Sequence, residues 1–201
     1  MEEHGTPAAT GYTTATGTQA QQRQYAGAQG EHATAQLLRQ LAGTDTHTHV
    51  FHSVNLGDQR LTADIDHVII RGDRILILDS KWWAPGRYRT TRDGQHHRPD
   101  GTAITPPTWR TPTVAAQLLG HPEGPHPAAA LVIWNSQPGQ RQSLRRLHPP
   151  DTDPPLAILQ GSTRRARRHI TRALGLNDPR PAPPNHALIN RLHHAATTAT
   201  H

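Results

Sequence analysis

The chain has no cysteine among its 201 residues. Disulfides and thiolate metal sites are therefore excluded, and any metal must rest on carboxylate, carbonyl or imidazole ligands. Aromatic side chains are scarce, at four Trp, three Tyr and one Phe, and hydrophobic residues make up only 33%. The core must come from a minority of segments, and part of the chain is expected not to pack. No apolar run approaches the roughly 18 residues that a membrane span requires, and the start lacks a basic-then-apolar leader. The cytoplasm is the expected compartment. What remains is a length suited to one ordinary domain plus tails. The formal net charge is +6, with Arg far outnumbering Lys. That balance suits an anionic partner such as nucleic acid, although a coding bias rich in Arg, Ala, Pro, His and Thr accounts for it equally well.

Along the chain, residues 1–24 read as a disordered polar tail without apolar periodicity. Ala35, Leu38 and Ala42 then follow Glu31 at helical spacing, and Gly43 closes the stripe. Glu31 is thereby placed on the buried edge of a helix. "HVFHSVNL" alternates as a strand. Beyond Trp83, "YRTTRDGQHHRPDGTAI" suits a small β-ribbon, "TPTVAAQLLG" a short helix, and "AAALVIWNS" a strand buried on both faces. "PLAILQGSTRRARRHITRALGL" predicts a strand and then a helix capped by Ser162, and a Pro-rich break with a last helix occupies 176–201. This order of elements predicts an α/β fold with helices packed on a sheet.

The chemistry concentrates in "DIDHVIIRGDRILILDSKWW", from Asp64 to Trp83. Gly72-Asp73 between two apolar runs predicts a type II′ hairpin turn. If Arg71 and Arg74 flank the loop, Ile70 faces Ile75, Val68 faces Ile77, Asp66 faces Asp79 and Asp64 faces Lys81, all on one face. Two carboxylates directly opposite stand with Cβ atoms about 4.5–5.5 Å apart, which is destabilising without compensation. A shared proton or a bound cation would supply it. Lys81 on the same face favours ionised carboxylates and therefore the cation. The plainer alternative is a solvated strand end with a surface Asp64–Lys81 pair. Asp64 rivals Asp66 if the register slips.

An Asp followed about a dozen residues later by Asp-x-Lys across a hairpin resembles the signature of the PD-(D/E)XK nuclease superfamily. The surrounding "GAQGE", "DIDHVII" and "ILDSKWWAPG" look like the nuclease-related domain, or NERD family, in order and spacing. The resemblance is closest over residues 26–86 and looser from there to about Gly161, and it implies a domain over 25–175. It implies a restriction-endonuclease-like mixed sheet with a central antiparallel hairpin flanked by helices. It also implies Mg²⁺ (or Mn²⁺) held by Asp66, Asp79 and the helix carboxylate Glu31, with Lys81 as the catalytic lysine and hydrolysis of DNA phosphodiesters as the reaction. A module that keeps this fold but only binds nucleic acid or a protein partner is the alternative. Asp79 stands where the family more often has Glu. Gln117 matches the spacing of a helix Gln found in some members poorly and is left out of the site.

Three further groups have a plain reading beside a functional one. His67 would point to the face opposite Asp66, which suits packing or a hydrogen bond. Trp82 and Trp83 would cover the core or stack on a base. Arg164, Arg165, Arg167 and Arg168 would contact phosphate or solvate a helix face. The sixteen histidines show no metal-binding spacing, and their number reads as compositional bias.

Overall fold

The structure is a computed structural model that describes residues 1–7, 18–61, 63–120 and 126–198. It is a mixed α/β fold. Among the described residues the strands are β1 (Glu2–His4), β2 (Thr48–Val54), β3 (Ile65–Arg71), β4 (Arg74–Trp83), β5 (Gly86–Thr90), β6 (His96–His97), β7 (Ala128–Asn135), β8 (Gln142–Arg146) and β9 (Leu156–Gln160). The helices are α1 (Thr18–Ala42), α2 (Pro107–Leu119), α3 (Arg164–Leu174) and α4 (His186–Thr198). The main sheet has the order β1-β2-β3-β4-β7-β9, and a second sheet has the order β6-β5-β8. No helix among the described residues is long and apolar enough to cross a membrane.

The turn sets the register as its chemistry predicts. Gly72 has φ 64°, while Asp73 is not among the residues with positive φ, the pattern that a II′ turn needs. From Arg71–Arg74 the ladder runs through Ile70–Ile75, Ile69–Leu76 and Val68–Ile77 to His67–Leu78. Both faces of this hairpin are buried. Val68, Ile70 and Ile77 join the core under α2 and α4, and Ile69, Leu76 and Leu78 join the core under α1 and α3. β7 runs parallel between β4 and β9, which explains its continuous apolar sequence.

Several boundaries differ from expectation. Residues 1–24 are not a tail throughout: Glu2–His4 forms an edge strand parallel to β2, and α1 begins at Thr18. Side-chain pairing rather than apolar alternation holds β1: Arg39 Nε and Nη2 donate to the Glu3 carboxylate at 2.8 and 2.7 Å. Residues 8–17 of the expected tail, and 199–201 beyond the last helix, lie outside the described residues. "GAQGE" lies within α1 rather than before it. α2 starts before Thr111, carrying Pro112 inside. Thr163 rather than Ser162 caps α3, its hydroxyl accepting from the Ala166 N–H. α4 belongs to the same core, through Ile189, Leu192 and Ala196.

Candidate functional site

Past His67–Leu78 the central hairpin divides. β3 continues only along β2, ending at Val54–Ile65, while β4 continues along β7 through Asp79–Leu131 and Lys81–Ile133. Bonded pairs alternate in an antiparallel ladder, so the next N–H due to bond across would be that of Ser80. That N–H instead donates to Asp66 Oδ2 at 2.6 Å. A side chain thus takes the ladder bond, and the strands separate at the acids. The expected Asp66–Asp79 and Asp64–Lys81 pairs are accordingly absent from the ladder. Asp64 lines a small separate cavity with Asn55, Leu56, Leu61 and Ala63.

α1 brings its own acid to this fork. A Cβ on Gly30 would lie 3.4 Å from the Lys81 carbonyl carbon and the Trp82 nitrogen, so helix and strand stand one methyl group apart. Thr34, one turn later, is buried and accepts from the Ser80 hydroxyl at 2.8 Å and the Trp134 indole at 2.9 Å. These contacts fix the height of Glu31 beside β4. Glu31, Asp66, Lys81 and Trp82 line one cleft of about 960 Å³ together with Arg98, Asp100 and Thr105. Asp79 is buried beneath, ion-paired with Lys81 Nζ.

The electrostatics are those of crowded acids. Burial, with the Asp79 charge next, raises the Asp66 carboxyl well above the ordinary carboxylate value. The Lys81 ammonium and the Ser80 N–H oppose that shift without cancelling it. Burial disfavours the Lys81 ammonium, yet Asp79, Asp66 and Glu31 outweigh it and hold the lysine above its usual range. Lys81 is therefore a cation at neutral pH. It is also the one lysine of the chain, against 21 basic residues in all, a signal that the sequence offered and that the spacing argument did not use. Where every other cation is Arg, an ammonium here keeps a compact point charge that guanidinium cannot reproduce.

An all-oxygen donor set with one ammonium suits a hard divalent cation, which needs only one or two carboxylates when waters complete its shell. Among the described residues, the acids and imidazoles that already converge within 4.8 Å as a threesome are Glu2, His4 and His49, not Glu31, Asp66 and Asp79.

Residues 26–118 match the family model of the nuclease-related domain. Over that segment, a little under half of the chain, the protein is similar to the nuclease-related domain. No curated protein and no solved structure matches the chain. The matched segment of the nuclease-related domain includes Glu31, Asp66, Asp79 and Lys81 and ends at the last turn of α2. β7, β9, α3 and α4, which complete the main sheet and its flanks, lie beyond it.

The remaining residues singled out in the sequence divide. His67 turns to the α1 face, and its Nδ1 shares a hydrogen bond of 2.8 Å with His52 Nδ1. Trp83 is buried and stacks on Tyr88 at 4.8 Å, and it lines the cleft together with the half-buried Trp82. Gln117 donates to the Asp153 carbonyl at 2.6 Å, away from the acids. Arg167 and Arg168 line a separate cavity with Arg74 and Arg172. A different basic surface adjoins the cleft. Arg87, Arg89, Arg98, Arg141, Arg145 and Arg146 border a hollow of about 640 Å³ on the small sheet, and Arg98 belongs to both walls. Local sequence did not disclose this ribbon, because the parallel β5–β8 pairing joins residues as far apart as Gly86 and Gln142.

Proposed function

We propose that this chain is a divalent-metal-dependent nuclease that hydrolyses DNA phosphodiester bonds at the β3–β4 fork, in a restriction-endonuclease-like arrangement of the PD-(D/E)XK type. One observation carries the reading: the chain's single lysine is held, cationic, among Glu31, Asp66 and Asp79 on the wall of an open cleft. A structural ion pair needs one acid; three acids around one ammonium leave negative charge that a proton or a further cation relieves, and the cationic Lys81 favours the cation.

Asp66, Asp79 and Glu31 would hold Mg²⁺ or Mn²⁺. Such an ion supplies positive charge to the phosphodiester transition state and acidifies water. Asp66 divides its carboxylate between two tasks. Oδ2 accepts from the Ser80 N–H, which fixes the rotamer, and Oδ1 remains for the cation. Lys81, protonated, donates hydrogen bonds to developing negative charge and does not act as a proton acceptor. Arg98 lies over the Trp83 ring at 5.5 Å, so its guanidinium is pre-positioned to pair a backbone phosphate at the cleft mouth. The arginine ribbon continues that path along the duplex or strand, supplying affinity without sequence preference.

The test is cleavage of plasmid and single-stranded DNA by the full chain. Cutting is expected with Mg²⁺ or Mn²⁺, and none is expected in EDTA or after Asp79→Ala. Cutting that persists in either case refutes the assignment. DNA binding without cutting in Mg²⁺ and Mn²⁺ would favour the alternative, a binding module that uses the same arginines.

A further inference from the structure

A second cluster lies on another part of the sheet and is built from softer ligands. Glu2 and His49 are register partners across the parallel β1–β2 pair, and His4 follows on the same face of β1. His49 Nδ1 stands 3.4 Å and His4 Nε2 3.7 Å from the two oxygens of the Glu2 carboxylate. Neither contact is a hydrogen bond. Both nitrogens are shut off from solvent, and neither has a hydrogen-bond partner. Buried imidazole nitrogens left in this way are uncommon, and an ion is one of the few things that accounts for them.

The rings are held in place while the acid is free to adjust. His4 stacks on Phe51 at 4.6 Å and on His49 at 5.9 Å, and His193 of α4 meets it edge-on at 5.2 Å. The two imidazole side chains are 10% and 18% exposed, whereas Glu2 is 63% exposed. Ligand atoms around a tetrahedral Zn²⁺ at about 2.0–2.1 Å sit about 3.3–3.4 Å apart. Both carboxylate–imidazole distances are already close to that spacing.

We infer that Glu2, His4 and His49 form a binding site for a divalent transition metal of the zinc class, distinct from the oxygen-lined fork. Imidazole donors suit Zn²⁺, Co²⁺ or Ni²⁺ and suit Mg²⁺ poorly, so the two sites select different ions. The metal would fasten β1, a strand of three residues, to β2 beside α4. The role is structural, and it goes beyond the hydrolytic reading.

The experiment is Zn²⁺ titration of the metal-free full chain by calorimetry, with Co²⁺ absorption and thermal melts read in parallel. One tight equivalent, visible Co²⁺ bands and a rise in melting temperature are expected. Glu2→Gln alters an exposed side chain and keeps the fold, and it should weaken that equivalent by about a hundredfold or more, since even outer-shell changes cost tenfold to a hundredfold. His49→Ala should abolish it, while Asp79→Ala should leave it in place. Only several weak equivalents, or a tight one unchanged in Glu2→Gln and His49→Ala, would overturn the site. Mg²⁺-dependent cutting is read separately and bears only on the fork.

Discussion

The β3–β4 hairpin buries a charge at each end, and the two ends treat it in opposite ways. At the turn, each nitrogen of the Arg71 guanidinium has a partner. Nε donates to Asp45 Oδ2 at 2.7 Å, Nη1 to the Gly175 carbonyl at 2.7 Å and Nη2 to the Asp178 carbonyl at 2.6 Å. At the fork, three carboxylates crowd one ammonium and the Asp66 pKa rises. A buried charge that has its partners is part of the framework; an acid whose pKa burial and its neighbours raise is held in place for something else. The same strand pair therefore serves as scaffold at one end and as chemistry at the other.

The comparison can be broken first at the scaffold end. Arg71→Ala strands Asp45 and two carbonyls, and urea melts should show a loss of about 3–5 kcal/mol. Lys81→Arg comes next. It keeps the charge but not the compact ammonium, so Mg²⁺-dependent cleavage should fall by about 10²-fold or more, roughly 2.7–4 kcal/mol, with little change in melting temperature. A mere ion-pairing lysine would tolerate the exchange.

A third test uses acid. Burial lowers the His52 pKa to about 4 and pushes that of its partner His67 well below the usual imidazole value. The folded state then binds fewer protons than the unfolded one, so stability is full above the ordinary histidine pKa of about 6.5 and is lost as pH falls toward 4. At pH 5, His52 alone should cost about 2 kcal/mol relative to pH 7.5. Replacing both residues by Leu should flatten that slope in urea melts. The smallest effect has the opposite sign. Asp66 is raised, so its contribution to stability is present below the ordinary aspartate value and lost as pH rises through the shifted one. Asp66→Asn keeps an oxygen for the Ser80 N–H and removes the crowded charge. In EDTA at neutral pH it should raise the melting temperature by a few degrees, while Arg71→Ala lowers it.

The turn end was legible in the sequence because its cause is local. Gly72-Asp73 sets the turn, and the period-two alternation follows from it through His67–Leu78. Asp66, Asp79 and Lys81 were legible as a group for the same reason. The ladder's end was not, since it depends on one Asp66 oxygen taking the Ser80 N–H, which no hydropathy pattern records. The arginine ribbon and the His4–His49 pair were hidden by distance along the chain. Spacing rules for metal ligands recognise neighbours on one helix or loop, and these imidazoles meet only because β1 pairs with β2. The abundance of histidine made them look like bias.

The most direct test of the account is a Mn²⁺ titration of the wild-type chain and of Asp79→Asn, followed by electron paramagnetic resonance with Zn²⁺ present to fill the imidazole cluster. The account predicts one Mn²⁺ ion bound per wild-type chain and none tightly bound by the variant. Equal binding by both proteins, or none by either, would contradict it.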